Sequence, residues 1–264
     1  MLSRYFELGI PLGLAQAAVA IVLALAFALL ARGWRIHLEG ETVVALFRGL
    51  LQIVMVGSIL VLLLRGPGWS AALLLLVMMF AAALLSARRA RGIPGAFVVS
   101  FYGIGIGAGL VIVLMTGLGV MDPAITSLVP VGSMIIANAM NSNALALERF
   151  SAEVTAHAGD IEAGLSLGAL PEVTVRPYLQ AAVTASLIPR IDSLRSLGIV
   201  WIPGLMAGMV LSGTDPVYAA IYQFVVIVMV YAAAGLTTLV STLLVRRRAF
   251  SSAMQLLLRR APGS

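Results

Sequence analysis

The chain contains no cysteine and no lysine, and only 11% of its 264 residues are charged. Without cysteine it cannot form a disulfide framework, a thiolate zinc site or an iron–sulfur cluster. Without lysine it cannot supply the lysine of a phosphate-binding P-loop. The sequence therefore predicts that the chain is not an ATPase and binds no cofactor of its own, so that any nucleotide chemistry belongs to a partner.

Most of what the chain does contain is apolar. Hydrophobic residues make up 61% of the sequence, and the mean hydropathy is +1.06. Soluble domains are only about half apolar, so the composition predicts an integral membrane protein. All 17 cationic residues are arginines that flank apolar runs, which favours membrane orientation over nucleic-acid recognition. We expect the lipid bilayer, and no nucleic acid, as a partner.

Seven apolar runs reach or approach the about 20 residues that a helix needs to cross a bilayer. The runs are residues 8–31, 42–64, 69–86, 96–118, 123–147, 197–211 and 218–245. Pro203, Gly204 and Gly208 interrupt the sixth run, which is also short. The pattern predicts an all-α membrane protein, a polytopic bundle of about seven transmembrane helices.

The arginines predict the orientation of this bundle, because cytoplasmic loops retain arginine. With seven spans, one side collects Arg32, Arg35, Arg88, Arg89, Arg91, Arg149, Arg176, Arg190, Arg195, Arg246, Arg247, Arg248, Arg259 and Arg260. The opposite side has only Arg4 and Arg65. We therefore expect the N-terminus outside and the C-terminus in the cytoplasm.

Residues 148–196 form the only predicted loop that is long enough for cytoplasmic structure of its own. Asp160 can cap a helix, Glu162 favours the positive end of the helix dipole, Gly168 can adopt the left-handed conformation and Pro171 prevents continuation. This pattern predicts a helix of about two turns, which is marginal in isolation. We expect it to be stabilised by docking.

A second helix is predicted in the same loop. Leu179, Val183 and Leu187 recur at helical spacing after Pro177, and Pro189 follows them. The pattern is typical of an interfacial helix with a proline kink. A simple re-entrant connector is the alternative for the whole loop.

Polar residues inside the apolar runs are candidates for a substrate path, because hydrocarbon offers them no hydrogen-bond partner. Asn138, Asn141 and Ser142 share one face of the fifth predicted span. Arg48 and Gln52, four residues apart, share a face of the second. The alternatives are hydrogen bonds between helices for the amides and snorkelling to the membrane boundary for Arg48.

Methionines offer the only soft ligands for a metal. Met134 and Met140 lie in the fifth predicted span, and their thioethers could contact a metal or fill space in a packed core. The sequence leaves the metal ligands unknown.

The fourth predicted span contains Gly103, Gly105, Gly107 and Gly109. They form two overlapping Gly-x-x-x-Gly patterns, which permit close approach of two helices. Close packing is the first interpretation, and a gating hinge is the second.

The predicted short helix resembles a known motif. Its order is Glu162-Ala163-Gly164, followed by Gly168 and then by Pro171. This order resembles the Glu-Ala-Ala loop of ABC-transporter membrane subunits, a coupling helix that sits in a groove of the ATP-binding subunit. The third position departs from that motif, because it holds glycine where the motif has alanine.

A wider resemblance extends over roughly residues 44–257. Arg48 and Gln52 match an Arg-x-x-x-Gln pattern, and five further matching runs are residues 129–141, 145–149, 187–193, 202–208 and 213–216. Together they resemble the FetB-like ABC transporter permease family, iron-export permeases related to plant aluminium-resistance permeases.

The resemblance implies one permease domain over residues 1–264 in a bacterial inner membrane. It implies a homodimer that works with a separate ABC ATP-binding subunit, which binds the ATP and magnesium. The implied cargo is iron or another metal, exported from the cell. The alternative is a secondary transporter or a channel-like membrane protein.

Overall fold

The structure, a computed structural model, describes residues 9–34, 37, 39–63, 66–90, 92–251 and 254–258, which are nearly all helical. The predicted all-α membrane fold is confirmed. The chain forms two compact units, residues 1–66 and 67–264, while the single permease domain stays a prediction. Several residues of the predicted topology lie outside the described ranges, namely Arg4, Leu8, Arg35, Leu64, Arg65, Arg91, Arg259 and Arg260.

The first unit contains a pair of long apolar helices, α1 (Ile10–Gly33) and α2 (Glu39–Leu63). The two helices contact each other, and Arg32 at the end of α1 pairs with Glu39 at the start of α2 at 3.3 Å. Both are long and apolar enough to cross a bilayer. Arg48 and Gln52 lie on α2, and both are exposed within this unit.

The second unit is a helical bundle. Its elements are α3 (Trp69–Arg89), α4 (Ala96–Gly117), α5 (Ile125–Ala156), α6 (Ala158–Ser166), α7 (Pro171–Thr174), α8 (Arg176–Ser196), α9 (Gly204–Leu211) and α10 (Pro216–Arg248). The long α10 packs against α4, α5, α8 and α9, and α3 packs against α4 and α5. Of these helices, α3, α4 and α10 are long and apolar enough to cross a bilayer. The total of seven spans stays a prediction.

Two glycines allow α4 to approach α10 closely. A Cβ on Gly107 would lie 2.6 Å from the Cα of Thr237, and a Cβ on Gly103 would lie 3.2 Å from the Thr237 carbonyl oxygen. A Cβ on Gly105 would meet nothing within 4 Å. The close-packing interpretation is therefore confirmed for Gly103 and Gly107.

The predicted sixth span needs correction. Residues 197–203 are not helical, and a single bridge joins Leu197 to Trp201. Only the 8 residues of α9 are helical in this run. Because a helix rises about 1.5 Å per residue, α9 measures only about 12 Å, too short for the about 30 Å of a hydrocarbon core. Pro203 explains where α9 begins, since proline is tolerated at the start of a helix and disfavoured inside it.

The helix before this break packs on the bundle along one side, and only Ala182 and Ser186 of it are buried. The 21-residue α8 packs against both α5 and α10 and continues through Pro189 without ending. After the break, α9 packs against α10 as well. Thus α8 and α9 form one discontinuous element along α10, with irregular backbone at residues 197–203.

Candidate functional site

The short helix α6 begins earlier than the sequence predicts. Asp160 is not its N-cap: α6 starts at Ala158, the N-cap is His157, and no side chain caps the helix. The reason is that α5 runs on to Ala156, so that only one residue separates the two helices. Asp160 lies in the first turn instead, where its carboxylate is favoured by the helix dipole.

The end of α6 is the one that the sequence predicts. Gly168 has a φ of 86°, which is the left-handed conformation. The amide of Gly168 donates to the carbonyl of Leu165 at 3.0 Å, and the amide of Ala169 donates to the carbonyl of Gly164 at 3.0 Å. These two bonds form a Schellman motif, which ends the helix. Pro171 then begins α7.

The glycine at the third position of the motif contacts α7. A Cβ on Gly164 would lie 3.1 Å from the Cγ2 of Thr174, which is tighter than ordinary van der Waals contact. Alanine at this position would require Thr174 to shift. The departure from the Glu-Ala-Ala pattern thus accompanies the close packing of α6 on α7.

The inner side of α6 and α7 is anchored to the long helices. Ile161 and Val175 are buried in an apolar cluster, here named the α6 cluster. The cluster also contains Leu147, Phe150 and Val154 of α5, Ala182 of α8 and Val245 of α10. In addition, Glu172 of α7 pairs with Arg246 of α10 at 3.3 Å. The α6–α7 segment is therefore fastened to α5, α8 and α10.

The outer side of the same segment is exposed. Asp160 and Ala163 are exposed on α6, and Glu162 is partly exposed. The side chain of Leu167 is 89% exposed, and Leu170 and Val173 are exposed as well. This surface combines carboxylates with apolar side chains, which suits contact with another protein.

The second feature is a cavity of about 160 Å³, here named the central cavity, where the discontinuous element faces α5 and α10. Met134 and Asn138 of α5, Arg190 and Ser193 of α8, and Val230 and Tyr231 of α10 line it. Ile227 of α10 also lines it, and the break and the start of α9 contribute Trp201, Pro203, Gly204 and Leu205. Asn138 lies near the middle of the 32-residue α5, and Tyr231 lies near the middle of the 33-residue α10. The cavity is therefore far from the ends of both helices.

Arg190 is the charged group of the cavity. Its Nη1 donates to Oδ1 of Asn138, whose Nδ2 donates to the carbonyl of Met134 at 2.7 Å. The Nε of Arg190 is buried and has no hydrogen-bond partner among the described residues. None of the lining residues, all of which the structure describes, is acidic. The cavity is therefore cationic.

The structure separates the residues that the sequence predicts for a substrate path. Met134 and Asn138 line the cavity. Met140 is partly buried against the apolar core of the bundle, and Asn141 is exposed. Arg48 and Gln52 belong to the first unit and are not among the lining residues.

Arg190 is the residue that the sequence interpretation did not assign to a site, because it was counted only among the arginines of a predicted cytoplasmic loop. One signal in the sequence marks its neighbourhood: the apolar run that follows is interrupted at Pro203 and Gly204. Interrupted segments of this kind are typical of discontinuous membrane helices that line a binding site. Within the described ranges, no three or more His, Asp or Glu residues come together as a potential metal site.

Comparison with known proteins identifies the family of the chain. The family described as "Uncharacterised protein family (UPF0014)" matches residues 14–250. The chain belongs to the UPF0014 family. The match covers both the α6–α7 segment and the cavity.

Three relatives match nearly the full length of the chain. The "Probable iron export permease protein FetB" of Escherichia coli is 30% identical, over 90% of this chain and 93% of its own. The "Protein ALUMINUM SENSITIVE 3" of Arabidopsis thaliana is 28% identical, over 92% and 90%. A "UPF0014 membrane protein" of Synechocystis is 31% identical, over 95% of each chain. No solved structure matches the chain significantly.

Proposed function

We propose that this UPF0014 protein is the permease subunit of an ABC transporter that exports iron or another metal. A separate ATP-binding subunit supplies the ATP and magnesium chemistry, and two copies of the permease work as a homodimer. In this proposal α6 is the coupling helix and lies in the cytoplasm, so that the N-terminus is outside and the C-terminus inside. The metal cargo is suggested by the name of the relative FetB, which describes iron export.

One observation carries the proposal. The α6–α7 segment is anchored to α5, α8 and α10 through Ile161, Val175 and the Glu172–Arg246 ion pair. These same three helices line the central cavity. A displacement of α6 by a partner therefore reaches the walls of the cavity through packed side chains, without any flexible connection between them.

The proposed mechanism needs no covalent chemistry from this chain. Closure of the ATP-binding subunits moves α6, and the movement tilts α8 relative to the parts of the bundle that hold α9. The cavity then changes its accessible side. Because packed helices shift between discrete arrangements rather than deforming continuously, the outcome is an inward-open and an outward-open state.

The contact with the ATP-binding subunit can be tested by charge reversal and by a polar replacement. Glu162→Arg and Leu167→Asp should each weaken co-purification of the ATP-binding subunit at least about tenfold, as expected when an exposed contact residue at the centre of an interface is replaced. The measurements are the recovery of the partner after affinity purification and the ATPase activity of the complex in vesicles.

The matched control is Leu211→Asp at the end of α9. Leu211 is 88% exposed, nearly the same fraction as Leu167, but it lies close to the start of α10, away from the α6 cluster. It should leave the partner bound. The proposal is contradicted if both α6 variants retain normal affinity and ATP-driven transport, or if the purified chain alone transports metal in response to a proton gradient.

A further inference from the structure

The central cavity has the chemistry of an anion site. Arg190 places a guanidinium there, and its Nε is buried without a partner among the described residues. Arg190 as a whole is partly exposed, and removing even part of a cation from water is costly unless an opposite charge or sufficient hydrogen bonds compensate it. The only bond that the guanidinium makes inside the cavity goes to the neutral Oδ1 of Asn138. Its charge is therefore uncompensated by the residues that line the cavity.

A second, independent element contributes positive potential. α9 begins at the cavity, since Pro203, Gly204 and Leu205 all line it. The N-cap residue Pro203 has no amide hydrogen and provides no side-chain cap. The first amides of any α-helix lack an intrahelical acceptor, and they carry the positive end of the helix dipole. Free amides at a helix start bind oxyanions.

The same residues do not suit a bare metal cation. The side chains of the cavity offer one thioether, from Met134, and neutral oxygens from Asn138, Ser193 and Tyr231, but no carboxylate and no imidazole. Arg190 would repel a divalent or trivalent cation at close range. Cationic metals are compensated in proteins by carboxylate, thiolate or imidazole ligands, which are absent from this lining.

The volume limits the size of the bound group. A dry cavity of about 150 Å³ accommodates a molecule of the size of benzene. At about 160 Å³, this cavity fits a carboxylate or phosphate group together with a few further atoms. A larger ligand would have to extend beyond it, past Trp201 or Tyr231.

We propose that the cavity between α5, α8, α9 and α10 binds an oxyanion, held by the Arg190 guanidinium and the first amides of α9. A metal cargo then enters as an anionic complex whose carboxylate or phosphate oxygens contact Arg190, with the metal itself farther from the guanidinium. The inference deepens the proposed transport function and rests on it for the role of the bound group as cargo.

The test is equilibrium binding to the purified full-length chain in detergent, without ATP and without the partner subunit. The probes are citrate, ferric citrate, inorganic phosphate and, under anaerobic conditions, ferrous chloride. We expect citrate, ferric citrate or phosphate to bind and to raise the unfolding temperature, and ferrous chloride alone to have no such effect. Binding of citrate or ferric citrate would identify the oxyanion as a carboxylate, and binding of inorganic phosphate would identify it as a phosphate.

Arg190→Gln should weaken that binding about tenfold or more, because it removes a charge-assisted hydrogen bond. The matched control is Arg195→Gln on the same helix. Arg195 has a side chain that is 77% exposed, pairs with Asp192 and does not line the cavity. It should leave the affinity unchanged. Arg190→Lys, which keeps the charge, should recover part of the binding.

A third variant keeps the inference testable if Arg190→Gln does not fold. Asn138→Asp places a carboxylate beside the guanidinium, which neutralises the cavity from within, and it should also weaken anion binding about tenfold or more. The inference is overturned if no oxyanion binds, if these variants bind it as tightly as the unmodified chain, or if ferrous chloride alone saturates the site. None of these results depends on the ATP-binding subunit, so a failure here is distinguishable from a failure of coupling.

Discussion

Asn143 connects three helices of the bundle through one side-chain amide. Its Nδ2 donates to Ser86 Oγ on α3 at 2.8 Å and to Ser100 Oγ on α4 at 3.0 Å. Ser100 also donates to Ser86 at 3.3 Å, and all three residues are buried. Hydrogen bonds of this type hold membrane helices together where the hydrophobic effect between helices is weak.

Replacing this amide should destabilise the bundle measurably. Asn143→Ala removes two hydrogen bonds between helices, and we expect it to lower the free energy of unfolding by about 0.5–2 kcal/mol. Asn141→Ala, at an exposed position of the same helix, should change it by less than about 0.5 kcal/mol. Reversible unfolding in mixed micelles measures both, and equal losses would show that the amide does not join the helices.

At this scale, the sequence predicts what depends on local geometry. Gly168 was identifiable because only glycine adopts the left-handed conformation at a helix end at low cost. The start of α6 was not, because it depends on how far α5 continues. That length reflects the burial of Phe150 and Val154 in the α6 cluster, which is a tertiary effect. The pairing of Arg190 with Asn138 spans 52 positions and leaves no local pattern.

Among the elements, α4 and α10 depend on the absence of side chains at their contact. Gly107→Ala would place a Cβ against the backbone of Thr237, which cannot move aside as a side chain can. We expect a loss of about 1–3 kcal/mol in the free energy of unfolding, as for other overpacked cores.

Gly105→Ala is the control for this prediction, because a Cβ there meets nothing within 4 Å. It should be neutral or slightly stabilising, since alanine favours helix by up to about 1 kcal/mol over glycine. Thermal unfolding of both variants in the same detergent gives the comparison. A larger loss for Gly105→Ala than for Gly107→Ala would contradict the packing described for α4.

The sequence predicts the long helices better than the discontinuous one. Uniform apolar runs such as α3 and α4 need only length and hydropathy to be recognised, and both appear close to their predicted bounds. The α8–α9 element is different, because α8 carries polar residues and a proline and therefore resembles a surface helix. Its position follows from packing against α5 and α10, which single-sequence periodicity does not encode.

For the whole molecule, the proposed orientation can be measured by labelling, since the chain has no cysteine of its own. A cysteine at Leu167 should react with a membrane-impermeant maleimide only in inside-out vesicles, because α6 is expected in the cytoplasm. A cysteine at Ser212, in the exposed turn before α10, should react only in intact cells or right-side-out vesicles. The reverse pattern would place α6 on the outer side and would contradict the proposed coupling.

The break at residues 197–203 has a consequence for leakage across the membrane. Two walls of the cavity, α5 and α10, are single continuous helices. The third wall consists of α8 and α9, two shorter helices joined by seven irregular residues. A tilt of α8 need not be passed on to α9. In the proposed transport function, the cavity can therefore widen beside α8 while it keeps its width beside α9, so that protons and sodium ions find no continuous water path during a transport cycle.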